Sequence, residues 1–519
     1  MPSQADAVDA RRHRDARELN TLPLLVLCFF LSGTAALIYQ TAWLRQFALV
    51  FGTSELAVAT VLAAYMAGLA LGAYAVERWL QELRRPVLGY ALIELGIAAS
   101  AIALVPVALW ACDRLLLLAF GGQASPPSSE ALGLSTFYLA ATFIALALPT
   151  ALMGATLPLL ARQSVREEWQ IAERIGLLYC MNTAGAVLGA LLAAFVLLPQ
   201  LGLARTVWGG AAVSVAVFLM AWLLTRRLFA AANDAATARA HSPALKFSAR
   251  PGPVWVLPLM CAAGSIAFLH EVLWTRMLAH IVGSSIHAFA VMVASFLAGI
   301  ALGGGAGAAL ARSRQRAVQL LALALLIGAL WAPAAFWLIE HIAPAKAGLT
   351  ANSYANSLFG FALLLPLTIA IGSTYPLAVR IVARDVSDAA LASARVYAWN
   401  TLGGIVGALA GGYWLIPALR YEGAVVLAAA GNCVLAALAL LALEADTSRN
   451  RRLTASAAAL LAVLTAMLYR PAAPTHLLLM SPLNINTDGR LIYYAVGRSA
   501  SVTLMQQDGG LVLRTNGLP

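Results

Sequence analysis

Long apolar stretches with almost no charge fill the chain from residue 21 onward, and short polar loops separate them. Each stretch is close to the roughly 20 residues that an α-helix needs to cross a hydrocarbon core of ~30 Å. A backbone in lipid must satisfy its own hydrogen bonds, so these stretches are predicted to be membrane-spanning α-helices. Twelve spans are predicted, at 21–44, 55–77, 88–111, 135–161, 175–198, 204–225, 254–275, 286–310, 316–340, 355–380, 394–416 and 422–443.

The end of the chain has a different pattern. Segment 453–469 is apolar and about as long as the shortest helix that can span a membrane, so we expect it to be a thirteenth membrane helix. Segment 485–519 instead contains short runs of alternating residues at 491–496, 501–506 and 511–515, separated by glycine-containing turns. This pattern predicts a small β-meander.

An internal repeat organises the predicted spans. At an offset of 231 the first half aligns with the second through matched Gly, Trp and Arg residues, and after an indel the offset is 218. So many matches between special residues indicate a true repeat. The matched pairs include Gly33 with Gly264, Trp43 with Trp274, Arg45 with Arg276, Gly68 with Gly299, Gly154 with Gly372, Asn182 with Asn400, Gly185 with Gly403 and Pro199 with Pro417.

The repeat predicts the domain organisation and the fold class. Two six-helix units, 21–227 and 253–444, flank a polar linker at 228–252, and a basic tail occupies 1–20. Six spans return the chain to the side where it started, so the two units are predicted to be parallel. We therefore expect an all-α polytopic membrane protein with a major-facilitator-like arrangement, in which the halves are related by an axis along the membrane normal.

The composition is typical of a membrane protein, and the positions of the basic residues explain the net charge. The 519 residues are 61% apolar and 11% charged, with a mean hydropathy of +0.81, which excludes a soluble globular domain. The net charge of +11 comes from Lys and Arg in alternate loops and in the N-terminal tail. This distribution predicts a cytoplasmic N-terminus in a bacterial inner membrane, with the lipid bilayer rather than nucleic acid as the partner.

The sequence has no recognisable catalytic or metal-binding constellation. Its five cysteines are scattered, lie mostly inside apolar segments and lack the spacing of metal ligands. No Ser/His/Asp, Cys/His or HExxH arrangement is present. We therefore expect no metal, no cofactor and no catalytic residue in this chain.

Ionisable residues inside spans are costly to insert, so they are the candidates for a solute or proton pathway. Glu94 lies within the third predicted span, whereas the second copy has Leu326 near the matched place. The alternative is a structural partner for a polar group of a neighbouring helix. His270 and Glu271 replace Tyr39 and Gln40 of the first copy and could form a proton relay or contact a cation. The alternative is a wetted pair at the end of the span, next to Arg276.

Two further groups of residues are candidates for anchoring and packing. Arg45 and Arg276 stand beside matched tryptophans, a pattern that favours anchoring at the membrane interface over contact with a substrate. Small-residue helices with GxxxG spacing begin with matched Asn-Thr pairs, which favours interhelical hydrogen bonding and close packing. These pairs are Asn182 with Thr183 and Asn400 with Thr401.

Several segments resemble the bacterial fused membrane proteins described as major-facilitator/spermidine synthase. They are SGTAALIYQTAWLR (32–45), GATLPLLAR (154–162), LYCMNTAGAVLGALLAAFVLLPQLG (178–202) and the tail GRLIYYAVGRSASVTLMQQDGGLVLRTNGLP (489–519). The tail resembles the first strands of the family's spermidine synthase domain. No position here corresponds to the Gly-rich cofactor loop or the acidic catalytic residues that the resemblance implies, so we expect no aminopropyltransferase activity from this chain by itself.

Three functions remain open at this point. The first is a transporter-like membrane module that handles polyamine-like cations or other small metabolites. The second is the membrane subunit of an aminopropyltransferase whose catalytic domain is encoded on a separate chain. The third is a membrane scaffold that does not transport.

Overall fold

The structure of the protein is a computed structural model. It describes the chain in segments, and the statements below concern those segments only. They are 4–51, 54–79, 85–119, 132–164, 170–233, 253–282, 285–341, 353–383, 389–442, 457, 460–461, 464, 469, 471–479, 489–507 and 509–516.

The first half consists of long helices, two of which are interrupted by π-helical turns. The helices are α1 (Gln4–Phe51), α2 (Ser54–Trp79), α3 (Pro86–Ala99), which continues through the π turn Ser100–Leu104 into α4 (Val105–Ala119), α5 (Leu132–Ser164), and α6 (Gln170–Leu192), which continues through the π turn Ala193–Leu197 into α7 (Leu198–Asn233).

The second half repeats this order. Its helices are α8 (Val256–Val282), α9 (Ser285–Leu310), α10 (Arg314–His341), α11 (Ser353–Val382), and α12 (Ala389–Ala410), which continues through the π turn Gly411–Leu415 into α13 (Ile416–Leu441). The predicted linker 228–252 lies mostly outside the described residues.

The described helices form ten apolar stretches long enough to span a membrane. Two of them, Cys180–Arg226 with 47 residues and Ala392–Leu441 with 50, would extend about 70 Å and 75 Å as straight helices. That is more than twice the hydrocarbon thickness. Each contains one non-helical residue, Gly202 (φ 74°) or Arg420 (φ 58°), where the direction changes. Each stretch therefore contains two spans, which confirms the twelve predicted.

The structure reproduces the sequence repeat in its irregularities. Gly202 and Arg420 are related by the offset of 218, and so are the π turns Ala193–Leu197 and Gly411–Leu415. A π turn inserts one residue into a helix and has no regular spacing, so its recurrence at matched positions reflects a shared fold. The prediction of two like six-helix units is confirmed.

Two equivalent pairs of helices form the contact between the halves. Helix α2 packs on α12, and α9, the counterpart of α2, packs on α6, the counterpart of α12. If element i of the first unit contacts element j of the second, and element j of the first contacts element i of the second, a twofold axis relates the two units. Because each half has an even number of spans, this pseudo-twofold runs along the membrane normal, as expected for a parallel repeat.

Most of the predicted thirteenth helix, 453–469, lies outside the described residues. Helix α13 begins beside the meander, where the Arg420 guanidinium lies over the Tyr494 ring at 5.5 Å, and ends at Leu441, about 30 Å away. The chain then reappears on the meander side at the short helix Thr475–Leu479. Leu461, which is helical, packs against Ala329 of α10 and Cys433 of α13.

The C-terminal meander is present as predicted. Its strands β1 (Arg490–Val496), β2 (Ser501–Gln507) and β3 (Gly510–Thr515) form an antiparallel sheet in sequence order. One face of the sheet is buried against the end of the bundle. Tyr494 lies on this face, and its burial raises the pKa of its hydroxyl group. The short helix Thr475–Leu479 joins this assembly to α10, since Thr475 Oγ1 donates a hydrogen bond to Glu340 at 3.0 Å.

Candidate translocation site

The two halves meet most tightly at the end of the bundle where α2 and α9 begin. Residues 56–65 of α2 and 288–296 of α9 are buried on every side. Toward the other end of the same helices, large apolar side chains are exposed. These are Leu71, Tyr74, Leu302 and Leu310. The interface is therefore tightly packed at this end, which we call the sealed end, and α2 and α9 are less enclosed toward their other ends.

A hydrogen bond between hydroxyl groups joins the halves at the sealed end. Thr60 Oγ1 of α2 lies 2.8 Å from Tyr413 Oη in the π turn of the second half. Thr60 also donates its single hydroxyl proton to the Leu56 carbonyl at 2.8 Å. Because a hydroxyl has one proton to give, Tyr413 is the donor in the bond to Thr60. Both residues are buried, so this bond is shielded from water.

The matched π turn of the first half makes the second cross-half bond. His287 Nε2 of α9 lies 3.0 Å from the Ala194 carbonyl, and its ring stacks on Phe195 at a centroid distance of 4.6 Å. Phe195 is the counterpart of Tyr413. In a π turn the backbone hydrogen bonds are rearranged, which leaves carbonyls available to a side chain. Among the hydrogen bonds described, the bonds at Tyr413 and Ala194 are the two that join the halves.

The meander covers the second half at this same end. Arg276 donates hydrogen bonds from Nη1 to the Gly497 carbonyl at 3.0 Å and from Nη2 to the Gly412 and Arg498 carbonyls at 3.1 and 3.2 Å. Arg498 Nε in turn donates to the Tyr413 carbonyl at 2.9 Å. The β1–β2 turn is thus bound to the π turn that carries Tyr413. Arg45, the counterpart of Arg276, is exposed.

His270 and Glu271 lie in the middle of α8, in a stretch that is buried throughout. Neither ring nitrogen of His270 has a hydrogen-bond partner among the described residues. Glu271 is only 8% exposed, and no described residue forms a salt bridge or side-chain hydrogen bond with its carboxylate. This buried position of His270 and Glu271 disagrees with the alternative that they form a water-exposed pair at the end of the span. A buried histidine without partners for its ring nitrogens, next to a largely buried carboxylate, is unusual in a membrane helix and points to a function.

Glu94 lies inside the first half. Ser32 Oγ of α1 donates a hydrogen bond to Glu94 Oε1 at 2.5 Å, and Ser214 of α7 lies beside the same carboxyl group. Glu94 is 1% exposed. Its surroundings are helices α1, α3 and α7 of one half, rather than the contact between halves where the sealed end lies.

The predicted packing residues lie at the closest helix approaches. A Cβ atom on Gly33 of α1 would collide with the Asn182 carbonyl, and one on Gly264 would collide with the Asn400 carbonyl. Thr183 and Thr401 follow these positions and are buried. The two pairs therefore occupy equivalent places, at the contacts of α1 with α6 and of α8 with α12.

No pattern in the sequence singled out the residues that seal the interface. Thr60, Tyr413, His287 and Ala194 depend on which helices the fold brings together, and a π turn has no reliable sequence signature. The repeat alignment contains one usable signal, because Tyr413 is the hydroxyl-bearing counterpart of Phe195. Among the described residues, no group of three or more His, Cys, Asp or Glu side chains is placed to hold a metal ion.

The chain matches no protein-family model and no curated protein. Among solved structures it resembles the crystal structure of a bacterial homologue of the iron transporter ferroportin in an inward-facing state. The likeness covers 82% of this chain and 98% of that chain, with a TM-score of 0.53 and 15% sequence identity. The membrane region therefore has a major-facilitator-like, transporter-like fold. At this identity the likeness concerns the fold alone.

Proposed function

We propose that this chain is a secondary transporter that moves a small cationic metabolite of the polyamine-like class between its two halves. The observation that carries the proposal is the sealed end. The halves are related by a twofold exchange of helices, and the two described hydrogen bonds between them both lie at that end. Few polar bonds at one end and a less enclosed opposite end favour rocking of one half against the other.

The proposed solute contact is Glu271, with His270 beside it. A carboxylate without a partner in a membrane span is unfavourable, and a cationic solute would offset that cost by charge pairing. The first copy has neutral Tyr39 and Gln40 at these positions, so the acidic group is not required by the shared scaffold. An organic amine fits a single carboxylate better than an anion would.

The distribution of Lys and Arg supports a cytoplasmic N-terminus in an inner membrane. With that orientation the sealed end and the meander face the periplasm, and the less enclosed end faces the cytoplasm. A chain in this orientation would meet cytoplasmic amines first.

Uptake into proteoliposomes tests the proposal. The purified chain is reconstituted and offered a panel of labelled amines, including putrescine and spermidine. We expect saturable uptake of at least one amine, abolished in Glu271→Gln, which keeps the shape and removes the charge. Glu340→Gln is the control, because Glu340 lies at the end of α10 and bonds to Thr475 and His476. Wild-type uptake that persists in Glu271→Gln would contradict the assignment of Glu271.

The second candidate function is the membrane subunit of a separately encoded aminopropyltransferase. The observation in its favour is the outer face of the meander, which exposes large apolar side chains. These are Ile492, Tyr493, Leu511 and Leu513. Exposed apolar faces of this kind mark interaction sites. Assay of the chain with a neighbouring soluble gene product, using decarboxylated S-adenosylmethionine and putrescine, tests it. Turnover only by the pair would favour this candidate, and stable binding without turnover or uptake would favour a scaffold.

A further inference from the structure

An enclosed cluster of oxygen atoms lies inside the first half, away from the proposed solute path. Its members come from three helices: Ser32 and Tyr39 from α1, Glu94 from α3 and Ser214 from α7. Glu94 and Ser32 are joined at 2.5 Å. Ser214 lies beside Glu94, and Tyr39 lies beside Ser214. We call this group the oxygen nest.

Two members of the oxygen nest lack a regular hydrogen bond. Ser214 Oγ and Tyr39 Oη belong to side chains with 0% exposure, and neither has a described partner at regular hydrogen-bond geometry, although Ser214 lies close to both the Glu94 carboxyl group and the Tyr39 hydroxyl. Buried hydroxyls without partners are rare in folded proteins and call for an explanation. Both hydroxyls stand next to a carboxyl group that has no basic partner among the described residues. The nest therefore presents one carboxyl group and several oxygen ligands with unused lone pairs.

The second half does not repeat the oxygen nest. Ser32, Tyr39 and Ser214 correspond to Ala263, His270 and Asn432, and Leu326 lies near the place of Glu94. Helix α3 also carries the π turn Ser100–Leu104, whereas its counterpart α10 is α-helical from Arg314 to His341. π turns occur frequently at functional sites. Since the scaffold folds without the nest in the second half, the nest is an addition to the first half.

We propose that the oxygen nest binds a monovalent metal cation, with Na⁺ as the expected ion. Hard cations take oxygen ligands from carboxylates and hydroxyls. A single carboxylate neutralises one positive charge and would leave a divalent ion uncompensated. A protonated Glu94 would donate one hydrogen bond to a single neighbour such as Ser214, whereas a coordinated cation would engage the Glu94, Ser214 and Tyr39 oxygens together. The enclosure of Glu94, 1% exposed, excludes a large organic cation.

Thermal unfolding of the full chain in detergent, followed by tryptophan fluorescence, tests this site. Melting curves are recorded with increasing NaCl, at constant ionic strength maintained with choline chloride, and again with KCl. We expect a saturable rise of the melting temperature with Na⁺ that choline does not produce. Glu94→Gln should abolish the saturable rise, and Ser214→Ala should raise the apparent dissociation constant for Na⁺ about 10-fold or more.

Two further variants keep the test decisive. Tyr39→Phe removes one hydroxyl oxygen while the ring keeps its place, so it should weaken Na⁺ binding even if Glu94→Gln does not fold. Glu340→Gln, a carboxylate at the end of α10 that bonds to Thr475 and His476, should respond to Na⁺ as the wild type does. A melting temperature equally raised by choline, or one that follows pH without any dependence on Na⁺, would overturn the proposal. The site does not rest on transport: Na⁺ binding without amine uptake would contradict the proposed function alone.

Discussion

At the residue scale, the glycines of the repeat act through close approach of helix backbones. A Cβ atom on Gly185 would collide with the Phe30 carbonyl of α1, and one on Gly403 would collide with the Cys261 carbonyl of α8. The two contacts are related by the offsets of the repeat. Small residues at such contacts let helices pack by van der Waals interaction and interhelical hydrogen bonds where no hydrophobic driving force acts between them.

We therefore expect Gly185→Ala to destabilise the protein by about 1–3 kcal/mol, because the added methyl group forces α1 and α6 apart. Gly305→Ala in α9 is the matched control, since nothing lies within 4 Å of the position of its Cβ. That variant should be neutral or more stable by up to ~1 kcal/mol, because alanine favours the helix more than glycine does. Denaturation in detergent measures both, and equal effects of the two changes would contradict the packing account.

Residue patterns predicted the spans, the repeat and the close-packed glycines because each of these depends on local sequence. Matched Gly and Asn residues could be aligned without knowing their neighbours. Glu94 shows where this reasoning ends: its place in a span was visible, but the face that it presents to Ser32 and Ser214 depends on how α1, α3 and α7 pack. The bond between His287 and Ala194 likewise requires the two halves to be assembled.

At the element scale, the π turns of α6 and α12 are the parts of the fold that join the halves. Tyr413→Phe removes the donor of the bond to Thr60 and leaves Thr60 still bonded to the Leu56 carbonyl. We expect the loss of about 0.5–1.5 kcal/mol at the sealed end, which corresponds to roughly a 2- to 13-fold shift toward its open form. Reaction of an engineered cysteine at Ala59 with a membrane-impermeant reagent measures the shift. An unchanged rate of reaction would contradict a role of this bond in the seal.

The meander is a second element whose attachment can be tested. Arg276→Lys keeps the charge but loses the planar fork that reaches three carbonyls, so β1 and the β1–β2 turn should exchange their amide protons faster. Hydrogen exchange of residues 490–501 measures this. Arg45→Lys, the exposed counterpart, should leave that exchange unchanged, and similar acceleration in both variants would contradict docking through Arg276.

At the scale of the whole molecule, the proposed transport requires the two like halves to close together at the end covered by the meander and to separate there when solute leaves. At this end Ala59 of α2 lies against Gly412 of the π turn, where a Cβ on Gly412 would collide with the Ala59 Cβ. A covalent link there would hold the end shut. The contacts of α2 with α12 and of α9 with α6 hold the two halves together in the structure.

The most direct test of the central claim is amine uptake by the double variant Ala59→Cys/Gly412→Cys, with the five native cysteines replaced. Gly412→Cys alone is the reference, because its Cβ collides with the Ala59 Cβ and a disulfide needs the two Cβ atoms about 3.8 Å apart. Uptake into proteoliposomes is measured after oxidation and again after reduction with dithiothreitol. The account predicts that uptake stops while the disulfide is closed and returns when it is reduced, because the solute can leave only when this end opens. Equal uptake by the fully oxidised and the reduced protein would contradict it.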